Sequence, residues 1–293
     1  MTRARDWLCI SRHDRVTKQS VAPSPYFNEL RAHHIAVDDV VIPTIDAASS
    51  GDETTIELSY SELASYLDCA MAFRLRTRMG FQPRLAPELG YGKAVHHVMR
   101  MIADHTGAHR RVPTATEIDA ILDRSFFLPT ANKVVHGELK RAARRLVNTY
   151  VEQHADDLYR VWETERPFEL HLDGITLAGR ADVILDHEGG VATSLAIVDY
   201  KTSIRGKDPN RDLQLRVYTD AGRREGLDVR AAYIHDMKLD NREAVDISAA
   251  DVDSAAQHVL DAAERLRQHN FEATPGPRCR TCEVRAVCAS SPR

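Results

Sequence analysis

The segment 167-PFELHLDGITLAGRADVILDHEGGVATSLAIVDYKTS-203 holds three runs rich in β-branched and aliphatic residues. Asp173-Gly174 and Gly189-Gly190 interrupt them with turn chemistry, so the segment reads as a β-meander. In its last run, LAIVDYKTS, the charged residues Asp199 and Lys201 break an otherwise apolar strand. Side chains two apart share one face of a strand, so this carboxylate and this ammonium project into one site. Asp182, in GRADVIL, belongs to the preceding strand, and a short turn at Gly189-Gly190 sets the two aspartates side by side. Paired carboxylates repel unless a cation lies between them, and hard oxygen donors favour Mg²⁺ or Mn²⁺. A lysine beside such an ion can orient or help deprotonate a water and stabilise charge growing on a phosphate. Taken alone, Asp199 and Lys201 also fit a solvent-facing ion pair at a strand end.

Outward from the meander the period becomes helical. Upstream, Leu63, Leu67, Met71 and Leu75 recur four apart behind Ser59 or Ser61, either of which can cap a helix. A second helix is predicted through GKAVHHVMRMIADHTG, ending at Gly107, and others near 114–125 and 136–160. Downstream, Leu213, Val217, Tyr218 and Ala221 mark one side of a helix, AAYIHDM reads as a strand, and residues 250–270 form an amphipathic helix before a loop-rich tail. Residues 36–58 are acidic and lack sustained periodicity, which reads as a linker. The predicted fold is α/β, with a central mixed sheet flanked by helices and a helical insert before it.

The 293 residues are 43% hydrophobic and 28% charged, with a net charge of −4. No apolar run is long enough for a membrane span and no secretory h-region follows the N-terminal charges, so a cytoplasmic protein without membrane contact is expected. The overall charge makes no case for nucleic acid, although Arg74, Arg76 and Arg78, then Lys140, Arg141, Arg144 and Arg145, then Arg205, Lys207 and Arg211, form local basic clusters. Five cysteines in a cytoplasmic chain point to metal binding or reactive thiols. Cys279, Cys282 and Cys288 share a Gly/Pro-rich tail that can curl round one centre, suiting zinc or an iron–sulfur cluster, and Cys69 is the available fourth ligand.

The Asp182, Asp199 and Lys201 arrangement resembles the PD-(D/E)xK nucleases, in their RecB-type branch. In that branch a helical histidine four residues after a glycine completes the metal site, and Gly92 and His96 match it. A Gln-x-x-x-Tyr pair on the helix after the lysine is matched by Gln214 and Tyr218. The resemblance implies a restriction-endonuclease-like fold that hydrolyses DNA phosphodiesters, probing single strands or duplex ends as an exonuclease. His96, Asp182, Asp199 and the Tyr200 carbonyl would hold Mg²⁺ or Mn²⁺, and Asp182, Asp199, Lys201, Gln214 and Tyr218 would form the catalytic set. It further implies, by similarity to AddB-type and CRISPR-adaptation exonucleases, a 4Fe-4S cluster on Cys69, Cys279, Cys282 and Cys288 that staples the two ends of the domain. Ala70 stands where these relatives often carry proline.

The opening MTRARDWLCIS resembles the sixth motif of UvrD/Rep-type helicases, with Arg3 in the place of the arginine that contacts ATP, and SPYFNEL (24–30) resembles the segment closing that motor. The expectation is therefore a remnant of a helicase edge at 1–35, a linker at 36–58 and a nuclease domain at 59–293, with Met1 falling inside a motor motif as in a truncated or split chain. The phosphate-binding Gly-x-x-x-x-Gly-Lys-Ser/Thr motif is absent from the sequence, so a motor would act in cis from a missing portion or in trans. This implies a role in DNA end processing and recombinational repair. Two other readings stay open: a free-standing CRISPR-adaptation-type exonuclease, and a non-catalytic DNA-binding iron–sulfur scaffold.

Overall fold

The computed structural model describes residues 15–16, 19–32, 55–81, 88–186, 194–202 and 210–291. Arg3, Arg205, Lys207 and the Gly189-Gly190 turn lie outside the described residues. The chain divides into two units, Met1–Gly51 and Asp52–Arg293. In the first, β1 (Arg15–Val16) pairs antiparallel with β2 (Gln19–Ser20), and α1 (Pro25–Ala32) follows without burying any of its residues.

The second unit begins with β3 (Ile56–Ser59), α2 (Tyr60–Asp68) and α3 (Ala70–Phe73), and the chain then underwinds into a π-turn at Arg74–Arg78. A helical block comes next: α4 (Tyr91–His109), α5 (Ala115–Ser125), α6 (Lys133–Gln153) and α7 (Ala155–Tyr159). The meander is β4 (Val161–Leu172), β5 (Ile175–Asp186) and β6 (Leu195–Lys201), followed by α8 (Arg211–Arg224), β7 (Val229–Asp236), β8 (Asn241–Ala244) and α9 (Ala249–Arg267). The described strands of this unit form a six-stranded mixed sheet in the order β3-β5-β6-β7-β8, with β4 on the other edge of β5. β3 and β7 run parallel to their neighbours β5 and β6, and the remaining pairs are antiparallel.

Helices cover both faces. One core joins Leu63, Tyr66, Leu215, Val217, Val259 and Leu266 of α2, α8 and α9 to Ile197 and Ile234 of the sheet. The other joins Val95, Val98, Ile102, Leu122, Val147 and Leu158 of α4 to α7 to Ala196, Val198 and Tyr200. Buried on both faces, β6 needs a continuous apolar run, and LAIV supplies it.

The elements follow their local chemistry. Ser59 caps α2 in a reciprocal capping box with Glu62, and Thr114 does the same for α5 with Glu117. Three differences from the sequence reading stand out. Ile56 to Leu58, which the composition places in the linker, form a strand because Ile56 and Leu58 bury against the sheet. α4 runs past Gly107 to His109, since the helix is already anchored by Val95, Val98, Ile102 and Thr106 and one glycine costs only about 1 kcal/mol. β8, a polar four-residue edge strand, carries no hydrophobic alternation to announce it.

Candidate active site

The site occupies a gap in the sheet. On one edge of β5, β3 pairs with Ile175–Ala178 and β6 with Val183–Asp186. Between these stretches, Gly179 to Asp182 have no strand beside them on that edge among the described residues. The β5–β6 register, continued one step past Val183↔Val198, sets Asp182 against Asp199 at the point where the strands part. β5 also changes its facing here: Ala181 belongs to the α8 side, Val183 to the α4 side. Across from Asp182 the β4 ladder skips Glu165, whose φ is 53°, a left-handed conformation unusual for a non-glycine residue.

Into this gap the surrounding elements direct the residues singled out in the sequence. Asp182 Oδ2 accepts the Tyr200 amide at 2.8 Å and its Oδ1 lies 3.0 Å from His96 Nδ1. His96 is one turn into α4, and Gly92 at the start of that helix faces Thr202 just after β6. Lys201 Nζ lies 2.7 Å from Asp199 Oδ2 and donates to Gln214 Oε1 at 3.3 Å. Gln214 Nε2 in turn donates to the Tyr218 hydroxyl at 3.3 Å. That hydroxyl also accepts the Arg180 amide at 3.1 Å, a backbone group in the stretch that has no strand on this edge. The Tyr218 ring lies directly over Gly179, where any Cβ would overlap it. Sequence reading overlooked Gly179; its position one residue before Arg180-Ala181-Asp182 was the available signal.

The electrostatics suit a cation. Burial pushes the Asp199 carboxyl above the usual carboxylate range; the Lys201 charge opposes this and that of Asp182 adds to it. His96 is drawn down by burial, but the hydrogen bond and charge of Asp182, with the charge of Asp199, outweigh that and hold it above the ordinary imidazole value. Burial raises the Tyr218 phenol, which stays neutral. Asp199 Oδ2 is buried and is paired with the Lys201 ammonium at 2.7 Å. The donor set is two carboxylates, an imidazole and a backbone carbonyl, whose oxygen-rich chemistry fits a hard divalent ion. The donor atoms of His96, Asp182 and Asp199 are not all within 4.8 Å of one another; Lys201 supplies positive charge beside Asp199, and His96 lies against Asp182.

Some residues of the basic clusters are ion-paired. Lys140 pairs with Asp123 at 2.6 Å, Arg144 with Asp119 at 2.7 Å and Arg76 with Glu283 at 3.1 Å. Cys69, Cys279, Cys282 and Cys288 are half-buried and unbridged. The tail reaches Cys69: the Thr274 amide donates to Cys69 Sγ at 3.5 Å, Arg278 pairs with Asp68 at 2.7 Å, and Tyr66 donates to the Asn270 carbonyl at 2.8 Å. Among the described residues no three of these sulfurs lie within 4.8 Å of one another. Zinc held by thiolates would need separations of about 3.8 Å, so the cysteines are not gathered for a single tetrahedral ion.

No curated protein matches the chain in sequence. Among solved structures, a candidate exonuclease from Eubacterium rectale is similar in fold, with a TM-score of 0.50 and 13% identity over 84% of this chain and 92% of the other. The protein SSO0001 aligns over 90% of this chain and 93% of its own at 12% identity, with a TM-score of 0.40. Among the described residues no helix is long and apolar enough to cross a membrane. The family model of the PD-(D/E)XK nucleases matches residues 57–289, a span that contains the sheet gap and every residue gathered in it. Because that match spans most of the chain, the chain belongs to the PD-(D/E)XK nuclease superfamily.

Proposed function

We propose that this nuclease is a Mg²⁺- or Mn²⁺-dependent deoxyribonuclease of the RecB type, an exonuclease acting on DNA ends beside a helicase motor. The observation that carries the reading is the single hydrogen-bonded relay from Arg180 through Tyr218 and Gln214 to Lys201, ending at Asp199 in the sheet gap. His96, Asp182, Asp199 and the Tyr200 carbonyl would hold the metal ion. When bound, such an ion supplies a Lewis acid for a phosphate oxygen and for water. Lys201 orients the attacking water and meets the charge that grows on the phosphate. Gln214 and Tyr218 act through Lys201 and are positioning residues. A groove flanked by Tyr159 and Trp162 lies next to the small cavity lined by His96, Arg100, Thr164 and Asp182, with Ala103 and Leu158 lining both.

The reading includes a 4Fe-4S cluster on Cys69, Cys279, Cys282 and Cys288, supported by the tail contacts that bring residues 274–278 to Cys69. A cubane spreads its thiolates more widely than one metal ion does. The helicase association rests on the leader and on Arg3, whose surroundings are not described.

The test is hydrolysis of end-labelled single- and double-stranded DNA. Activity should need Mg²⁺ or Mn²⁺, and Asp199→Ala or Lys201→Ala should each lower it by roughly a thousandfold or more. Only Asp199→Ala should also weaken binding of Mn²⁺. Undiminished hydrolysis in EDTA, or an active Lys201→Ala variant, would overturn the mechanism. Anaerobically purified protein should carry about four iron and four sulfide per chain, and stoichiometric zinc without iron would remove the cluster from the reading.

A further inference from the structure

A second group of ligands lies on the opposite side of β6 from Asp199 and Lys201. His235 on β7 is the ladder partner of Tyr200, and its side chain is fully buried, 0% exposed. Among the described residues neither of its ring nitrogens has a hydrogen-bond partner. An imidazole must carry at least one N–H and one lone pair or two N–H groups, so burying both nitrogens unsatisfied costs free energy that folded proteins rarely leave uncompensated. The walls around it are aromatic: Tyr150 and Tyr200 meet the His235 ring edge-on, at centroid distances of 5.1 and 6.1 Å.

Two further donors face the same point. His154, between α6 and α7, packs its ring edge-on to His235 with centroids 4.8 Å apart. Asp240, held at φ 51° in the turn between β7 and β8, places Oδ1 2.7 Å from His154 Nε2 and 3.6 Å from His235 Nε2. One donor atom from each of the three lies within 4.8 Å of the other two. Tetrahedral coordination at zinc's usual bond lengths separates neighbouring N and O ligands by about 3.3 Å, a value between the two observed separations. The nearby Arg242 guanidinium is matched by Asp157 at 2.6 Å.

We propose that His154, His235 and Asp240 form a second metal site, for a zinc-class divalent ion. Two imidazoles and one carboxylate are the donors such ions prefer, and they suit Mg²⁺ poorly. The site has one open position for water. On binding, the proton shared by His154 Nε2 and Asp240 leaves that contact, with His154 carrying its proton on Nδ1. The ion would tie the end of α6 to the β7–β8 hairpin and seat His235 behind Tyr200. This inference does not depend on the nuclease mechanism.

Titration of the full-length protein with Co²⁺, followed by visible absorption, tests it. The wild-type chain should give the d–d bands of a four-coordinate ion with nitrogen and oxygen ligands, at one equivalent. His154→Gln and Asp240→Asn, both at partly exposed positions, should weaken that binding by roughly tenfold or more, while Asp199→Ala should leave it unchanged. Zn²⁺ should raise the melting temperature of the wild type and not that of His154→Gln. Equal Co²⁺ binding by both ligand variants, bands dominated by thiolate charge transfer, or no binding by the wild type would each overturn the site.

Discussion

Lys201 stands where it does because of side chains that need never touch DNA. Its Nζ is steadied by Gln214, Gln214 by Tyr218, and Tyr218 by the amide of Arg180. Tyr218→Phe deletes the acceptor of two N–H donors. It is expected to lower the rate of DNA hydrolysis by about tenfold, the worth of one or two lost hydrogen bonds, with KM for DNA little changed. Gly179→Ala should produce a comparable loss by displacing the Tyr218 ring, and a variant combining both should be no worse than the more damaging single change. Steady-state kinetics on one labelled oligonucleotide would read all three. Asp199 and Lys201 were legible in the sequence because residues two apart on a strand share a face, and Asp182 because a short turn joins its strand to theirs. Gly179 was not legible, because its importance comes from a gap in pairing that only the assembled sheet creates. His235 was equally hidden: AAYIHDM reads as a strand, and nothing local announces what faces its fifth residue.

At the level of elements, the helices are held at their ends by chemistry visible in the sequence, and α5 makes a measurable case. The Glu117 carboxylate is held well below the usual range by Arg111, with further hydrogen bonds from the Thr114 amide and hydroxyl. A depressed carboxyl pKa contributes stability above its unfolded value and loses it as pH falls through the folded one. Acidification from about pH 5 to about pH 3 should therefore lower the urea midpoint of the wild type more than that of Glu117→Gln, which keeps the cap but not the ion pair with Arg111. Equal acid sensitivity of the two proteins would show that the pair adds nothing. The meander, α8 and α9 were read correctly because their apolar spacing is sustained over whole elements. β3 escaped because a four-residue strand inside an acidic stretch offers only Ile56 and Leu58 as a pattern, and its partner lies beyond the helical block.

Across the whole molecule, every buried apolar residue among those described falls between Ile56 and Val284. Removing residues 1–51 is therefore expected to leave both the melting temperature and the hydrolysis of DNA ends unchanged, as calorimetry and the labelled-DNA assay would show. A large fall in melting temperature would assign the leader to the folded unit. The pairing of β3 with β5 has a consequence for how the chain reaches this state. Ile56 meets Ile175 only after the helices from Tyr91 to Tyr159 have been made, whereas those helices pack mainly against one another and can form early. Contacts so distant along the chain form slowly, since closing the intervening loop must precede any gain from it. During synthesis β3 would emerge from the ribosome first and stay unpaired while the helical block behind it forms an ordered body. The sheet, and with it the gap beside Asp182 and Asp199, would be completed only when the meander arrives to pair with β3.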